Sequence, residues 1–271
     1  MIAGHYIPAF AFKILTENDQ GASPHVNLQG VAIGDGLTSP CLQVEAGPRA
    51  AYDFGIINAK VFARAKELAL EASIACDAAD WTAAHEHREA METLVIDASG
   101  INKYDVRTFD SYDYMHARMD AYFNDAATKD MLHVPQQYPF GTDAGVSAAL
   151  FDDVMQSQAD KMPALLRRMR VLLYQGQFDW KDGPFSNEAW ITRLEWEGRT
   201  GFLAAERTLW LSSSDPAAPT PLLPAGWLQT YSNLTECVIN AAGHLAPMNQ
   251  PVRLQTMITN FVTNTPFEVK D

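Results

Sequence analysis

The sequence predicts an α/β fold: a doubly wound sheet that carries a mainly helical insertion. Three observations lead there. Two runs of branched and aliphatic residues, Val26–Ile33 and Arg170–Gly176, read as buried strands bounded by glycine. Helical periodicity precedes the first run and closes the chain after the last strand candidate. Between the runs, from Ser39 to about Ala164, the texture is helical and carries no strand signal.

Taken in order, Gly4 to Asn18 sets Ile7, Phe10, Ala11, Ile14 and Leu15 close to a 3.6-residue period, with Pro8 early enough for a first turn. Asp19 to Pro24 is a loop. The strand Val26–Ile33 is broken by Gly34-Asp35-Gly36, a turn that favours positive φ. In the insertion, Ala59 to Ala75 places Val61, Phe62, Ala65, Leu68, Ala69 and Ala72 on one face, and Asp80 caps a second helix running to about Val95. Asn102 to Asp113 is aromatic and polar without a period. Tyr112, Tyr114, Tyr122 and Phe123 read as packing residues, with the lining of a cleft as the alternative. Phe151 to Arg168 is helical, bent at Pro163. After the strand Arg170–Gly176 come a helix over Asn187 to Trp196, a strand around Thr208 to Leu211 and a Pro-rich loop from Asp215 to Pro224. Strands at Trp227–Tyr231 and Cys237–Asn240 and a helix at Val252–Val262 complete the chain. Residues 1–38 and 165–271 are thus two segments of one sheet core, and residues 39–164 are the insertion.

The composition bounds the function. The 271 residues suit one large α/β domain, with 47% hydrophobic and 20% charged residues, an ordinary balance for a chain with a real core. A formal charge of -13 argues against nucleic-acid and anionic-membrane partners. No apolar run approaches the roughly 20 residues that span a bilayer, and Met1 to Pro8 shows no signal-peptide pattern. Cys41, Cys76 and Cys237 lack any metal-binding spacing. They allow one disulfide and one free thiol, or three thiols. His85 and His87 sit two apart on a helix and so point to different faces, while His5 reads as a packing residue. We expect no metal and no cofactor. Asn233-Leu-Thr235 matches the glycosylation acceptor pattern, which also arises by chance.

Chemistry concentrates after two strand candidates. Ala241-Ala242-Gly243 turns the chain sharply after Cys237–Asn240, and Pro247 and Pro251 keep His244 on a tight loop. The earlier strand runs into Gly176-Gln-Phe-Asp179-Trp-Lys-Asp182. An acid after one strand and a histidine after a later one form the back half of a Ser…Asp…His triad on an α/β-hydrolase sheet. There the carboxylate fixes the imidazole tautomer, and the histidine takes the nucleophile's proton. Asp179 lies closer to its strand end and is the candidate acid. Asp182, beside Gly183-Pro184, reads as a turn residue.

Four stretches make the pattern specific: Ala3-Gly-His-Tyr-Ile-Pro-Ala-Phe10, Asn27 to Leu37, Val171 to Trp196, and Ala242-Gly-His-Leu-Ala-Pro-Met-Asn-Gln-Pro251. In these the chain resembles the serine carboxypeptidase family, α/β-hydrolases that remove single C-terminal residues from peptides. The resemblance implies that Asp179 and His244 are the triad acid and base. It also implies that Leu245 lines the pocket for the departing residue, that residues 39–164 are a helical cap, and that the partner is a peptide C-terminus. A lysosomal, vacuolar or secreted location follows from the same resemblance.

The departures are as informative. The family's nucleophile sits in a Glu-Ser-Tyr-Gly/Ala-Gly-His-Tyr elbow. Met1 falls on the serine position and Ile2 on an oxyanion-hole position, so the chain reads as N-terminally truncated. No Gly-x-Ser-x-Gly occurs in the 271 residues, and Gln177 replaces an acidic residue common in the family's loop. Loss of the nucleophile alone costs on the order of a millionfold in kcat. The expectation is a chain that does not hydrolyse peptides alone; a non-catalytic binding protein and a relative doing acyl transfer are the alternatives. A sheet without its first strands is also expected to self-associate through an exposed edge.

Overall fold

The computed structural model describes residues 3–109, 113–141, 144–213 and 221–270. Five strands form one sheet in the order β1-β2-β5-β4-β3. They are β1 (Gly30–Gly34), β2 (Arg170–Gly176), β3 (Arg207–Ser212), β4 (Leu223–Tyr231) and β5 (Leu234–Ile239). β1, β2 and β5 run parallel, with Gly34 opposite Tyr174 and Gly176 opposite Ile239. β4 and β3 return antiparallel, so the sheet is mixed.

Strand alternation sorts the core onto two faces. Val171 and Leu173 of β2 join Val31, Ile33, Ala11, Leu165 and Trp190 on one side. Leu172 joins Trp210, Cys237, Ile239, Leu254 and Met257 on the other, under the closing helix Pro251–Thr263. A separate cluster packs the helices Ala59–Asp77 and Trp81–Ser99 through Ala65, Leu68, Ala72, Met91 and Val95, and reaches Trp180 in the loop after β2. That contact seats the helical layer on the loop after β2. Asn58 and Asp80 cap these two helices through their side chains. Cys41 and Cys76 form a disulfide, and Cys237 is a buried thiol.

Several elements depart from expectation. β1 covers only Gly30–Gly34, because the Asn18 side chain bonds both the N–H and the carbonyl of Val26 and so ties that stretch to the preceding helix. Pro163 starts a helix, Met162–Arg168, instead of bending one; a residue without an N–H fits the first turn. The helix expected over Asn187–Trp196 lies at Pro184–Ile191 for the same reason, with Pro184 in its first turn. A short helix, Arg199–Ala204, follows it. Of the Pro-rich loop, residues 214–220 fall outside the described residues, as do Tyr112 and the side chain of Tyr114. Tyr122 is exposed and meets Phe123 edge-on. No helix among the described residues is long and apolar enough to cross a membrane.

Candidate active site

Three parallel strands end side by side, and each delivers one titratable side chain to the same point. Asp35 follows β1 directly, Asp179 lies three residues past β2, and His244 lies five residues past β5. This is where open α/β sheets place their chemistry. The imidazole Nδ1 of His244 donates to Asp179 Oδ2 at 2.7 Å, and the Asp179 side chain is fully buried. The two residues singled out from the sequence are therefore in contact.

The loops that hold them are built from backbone bonds. Asp179 Oδ1 accepts the Lys181 N–H at 2.8 Å, and Oδ2 accepts the Asp182 N–H at 3.3 Å. The His244 loop turns at Ala241, which takes φ +56°. Asn249 Oδ1 then holds the Gly243 N–H at 2.8 Å. A Cβ at Gly176 would lie 2.0 Å from the Gly243 carbonyl oxygen, so the two loops approach this closely only with glycine there. Gln177 joins them again: its backbone N–H donates to Ile239, and its side-chain oxygen accepts the Ala241 N–H at 3.4 Å. Its side chain thus reaches the histidine loop.

A segment that carried no periodic signal completes the frame. Tyr104 accepts the His244 N–H at 2.7 Å and sets its ring 5.1 Å from the imidazole. Val106 donates to Phe178, and Lys181 to Lys103. Arg107 forms a two-pronged ion pair with Asp105 and lies over the Phe178 ring. Burial raises the Tyr104 hydroxyl above its ordinary value. Leu245, half-buried beside His244, precedes the short helix Ala246–Asn249.

Asp182 lies in the bend before the helix Pro184–Ile191 and is more than a turn residue. It is fully buried, with a carboxylate oxygen 3.6 Å from Arg88. The helix Trp81–Ser99 lies over this loop and presents Arg88 and Glu92, one turn apart, to it. Glu92 meets Arg88 at 2.9 Å, Lys103 at 2.9 Å and Lys181 at 2.6 Å. Burial alone would raise the Glu92 carboxyl, but Arg88, Lys181 and Lys103 outweigh it and hold it at about 2. Burial, with Arg88 beside it, brings the Lys181 ammonium down to about 8 despite Glu92. Arg88, Glu92 and Lys181 border a cavity of about 460 Å³, which His5, Tyr6, Leu37 and Phe151 also line. His244 and Asp179 do not line it. His85 is buried and its Nδ1 faces the Phe151 carbonyl, while His87 meets Glu71 at 3.2 Å, so the pair does not converge.

Among the described residues, the side-chain ligand atoms of Asp35, Asp179 and His244 lie within 4.8 Å of one another. Their lone pairs are already directed at protein donors: Asp179 takes His244, Lys181 and Asp182, and Asp35 takes Gly176. We assign the set no metal.

A family model described as serine carboxypeptidase matches residues 2–264. The chain belongs to the serine carboxypeptidase family. A Dictyostelium discoideum protein described as a probable serine carboxypeptidase, CPVL, is 31% identical over 98% of this chain and 53% of its own length. A serine carboxypeptidase-like protein of Arabidopsis thaliana is 31% identical over 98% of this chain and 52% of its own. The chain thus spans about half the length of these relatives, yet 95% of a serine carboxypeptidase-like protein of Pisum sativum, at 30% identity. In structure it is similar to a prohormone-processing carboxypeptidase of Saccharomyces cerevisiae, with a TM-score of 0.82 and 20% identity over 97% of this chain and 60% of that one. At that identity the likeness speaks for the fold, which is the α/β-hydrolase fold.

Sequence reasoning missed Asp35, Tyr104 and Glu92. Asp35 had one legible signal, its place directly after a strand. Tyr104 and Glu92 lie on a loop and a helix whose position over the sheet no local pattern encodes.

Proposed function

We propose that this chain carries the acid–base part of a serine-type carboxypeptidase acting on peptide C-termini, with Asp179 as the acid and His244 as the base. The supporting observation is the 2.7 Å bond from His244 Nδ1 to Asp179 Oδ2 at the C-terminal ends of parallel strands. Asp179 fixes the tautomer that leaves Nε2 to accept a proton from a nucleophilic hydroxyl. It also stabilises the imidazolium that results. His244 then returns that proton to the leaving amine. Leu245, adjacent to the base, lines the pocket for the departing residue, and residues 39–164 form the cap over the site.

In this reading the nucleophile is not among the 271 residues, since no Gly-x-Ser-x-Gly occurs in them. The chain is inactive alone and acts when a Gly-Glu-Ser segment is supplied upstream. A lysosomal, vacuolar or secreted setting suits this function. The test is hydrolysis of a blocked dipeptide by the chain alone, and with the upstream segment of a family member supplied in cis or in trans. We expect no turnover from the chain alone, turnover with the segment, and a loss on the order of a millionfold with His244→Ala. Turnover by the chain alone would refute the placement of the nucleophile. Turnover indifferent to His244→Ala would refute the relay, and no turnover in either arrangement favours a non-catalytic binding protein.

A further inference from the structure

Asp35 is buried to 2% exposure at the foot of the site, in a backbone conformation that only a few non-glycine residues adopt, φ +42°. Its N–H donates to the Tyr174 carbonyl at 2.9 Å, extending the β1–β2 pairing by one residue. Its Oδ1 accepts the Gly176 N–H at 3.0 Å, and a carboxylate oxygen of Asp35 lies within 4.8 Å of one of Asp179. Two carboxylates offer acceptor oxygens and no donor, so a hydrogen bond between neighbours this close requires a shared proton. Asp179 already accepts three N–H groups, from His244, Lys181 and Asp182, whereas Asp35 accepts one. The proton therefore belongs on Asp35.

We propose that Asp35 is a protonated positioning residue, whose carboxyl O–H donates to Asp179 and holds that carboxylate toward the His244 imidazole. This role rests on the reading of Asp179 and His244 as a relay, and lengthens it by one member. The groups facing Asp35 are Asp179 and Tyr174 from β2 and its loop, and His244 from the loop after β5. Burial raises the Asp35 carboxyl well above its ordinary value, and the Asp179 charge pushes it further the same way. The Tyr174 hydroxyl is raised by its own burial and by Asp35. With a single proton between the two acids, the pair presents one negative charge to the imidazole. A second charge would be repelled within a few ångströms.

The test is carboxyl ¹³C NMR of the 271-residue chain labelled at aspartate, followed from about pH 3 to about pH 8, with Asp35 assigned by Asp35→Asn. The Asp35 carbon is expected to keep the shift of a protonated acid well above the pH at which an ordinary aspartate ionises. Ionisation near the ordinary value of about 3.9 would overturn the proposal. The second readout is the downfield Nδ1–H proton of His244. It is expected in the natural chain and in Asp35→Asn, whose amide still donates to Asp179, and lost to exchange in Asp35→Ala. Its survival unchanged in Asp35→Ala would overturn the positioning role. Should both variants fail to fold, the titration of the unsubstituted chain decides. None of these signals needs turnover, so a failed relay appears in the dipeptide assay and a failed Asp35 role in the spectra.

Discussion

The contact between Asp179 and His244 was legible in the sequence because each lies on a glycine-containing loop shortly after a strand, with the acid before the histidine in chain order. Asp182 was not. Its place beside Gly183-Pro184 reads as a turn, and nothing local shows that the helix above supplies Arg88 and buries both. Glu92 shows the same limit: a glutamate on a helix reads as solvated until the helix is placed. Two predictions belong at this scale. With the upstream serine segment present, Asp179→Asn should lower kcat about 10⁴-fold by favouring the wrong tautomer, read in the dipeptide assay. Glu92→Gln should cost about 3–5 kcal/mol in urea unfolding, because Arg88, Lys103 and Lys181 lose the charge that pairs them. Glu92 is held below its unfolded value, so its contribution is complete above about pH 4.5 and is lost as pH falls toward about 2. The displacement corresponds to about 3 kcal/mol. A urea midpoint that falls no more steeply in the unsubstituted chain than in Glu92→Gln over that range would contradict it.

The elements that the sequence placed well were those with a strong period. Ala59–Asp77, Trp81–Ser99, Arg170–Gly176 and Pro251–Thr263 agree with expectation to within a few residues. Two misplaced helices turned on proline: Pro163 and Pro184 begin helices that periodicity alone had run through or started late. The segment from Asn102 to Thr108 had no period because its structure is a set of turns bonded to two loops, which a local pattern cannot show. The His244 loop depends on that segment. A Cβ at Gly243 would lie 2.5 Å from the Tyr104 carbonyl oxygen and 2.7 Å from Asp105 Cβ, neither of which can withdraw. Gly243→Ala should therefore cost about 1–3 kcal/mol and displace the imidazole from Asp179. A variant with unchanged melting and an unchanged His244 Nδ1–H resonance would contradict this.

At the scale of the molecule, the two sheet edges differ. The β3 edge is covered by the C-terminal stretch, where the Leu211 N–H donates to Glu268 and the Lys270 N–H to Leu209. Among the described residues no strand pairs with the outer side of β1. An unpaired edge is a template for another strand, so the chain alone should associate as its concentration rises. A single monomeric boundary in sedimentation velocity across that range would contradict this. The fold class was legible because alternating helices and buried strands admit few arrangements. The antiparallel turn of β3 and β4 was not, since it depends on pairing between strands. The central proposal is that Asp179 and His244 form an acid–base relay that no serine among these 271 residues serves as nucleophile. Intact mass after treatment with a fluorophosphonate tests it most directly. The account predicts no adduct on the chain alone and one adduct on the chain extended through an upstream Gly-Glu-Ser, lost in His244→Ala. An adduct on a serine of the unextended chain, dependent on His244, would contradict it.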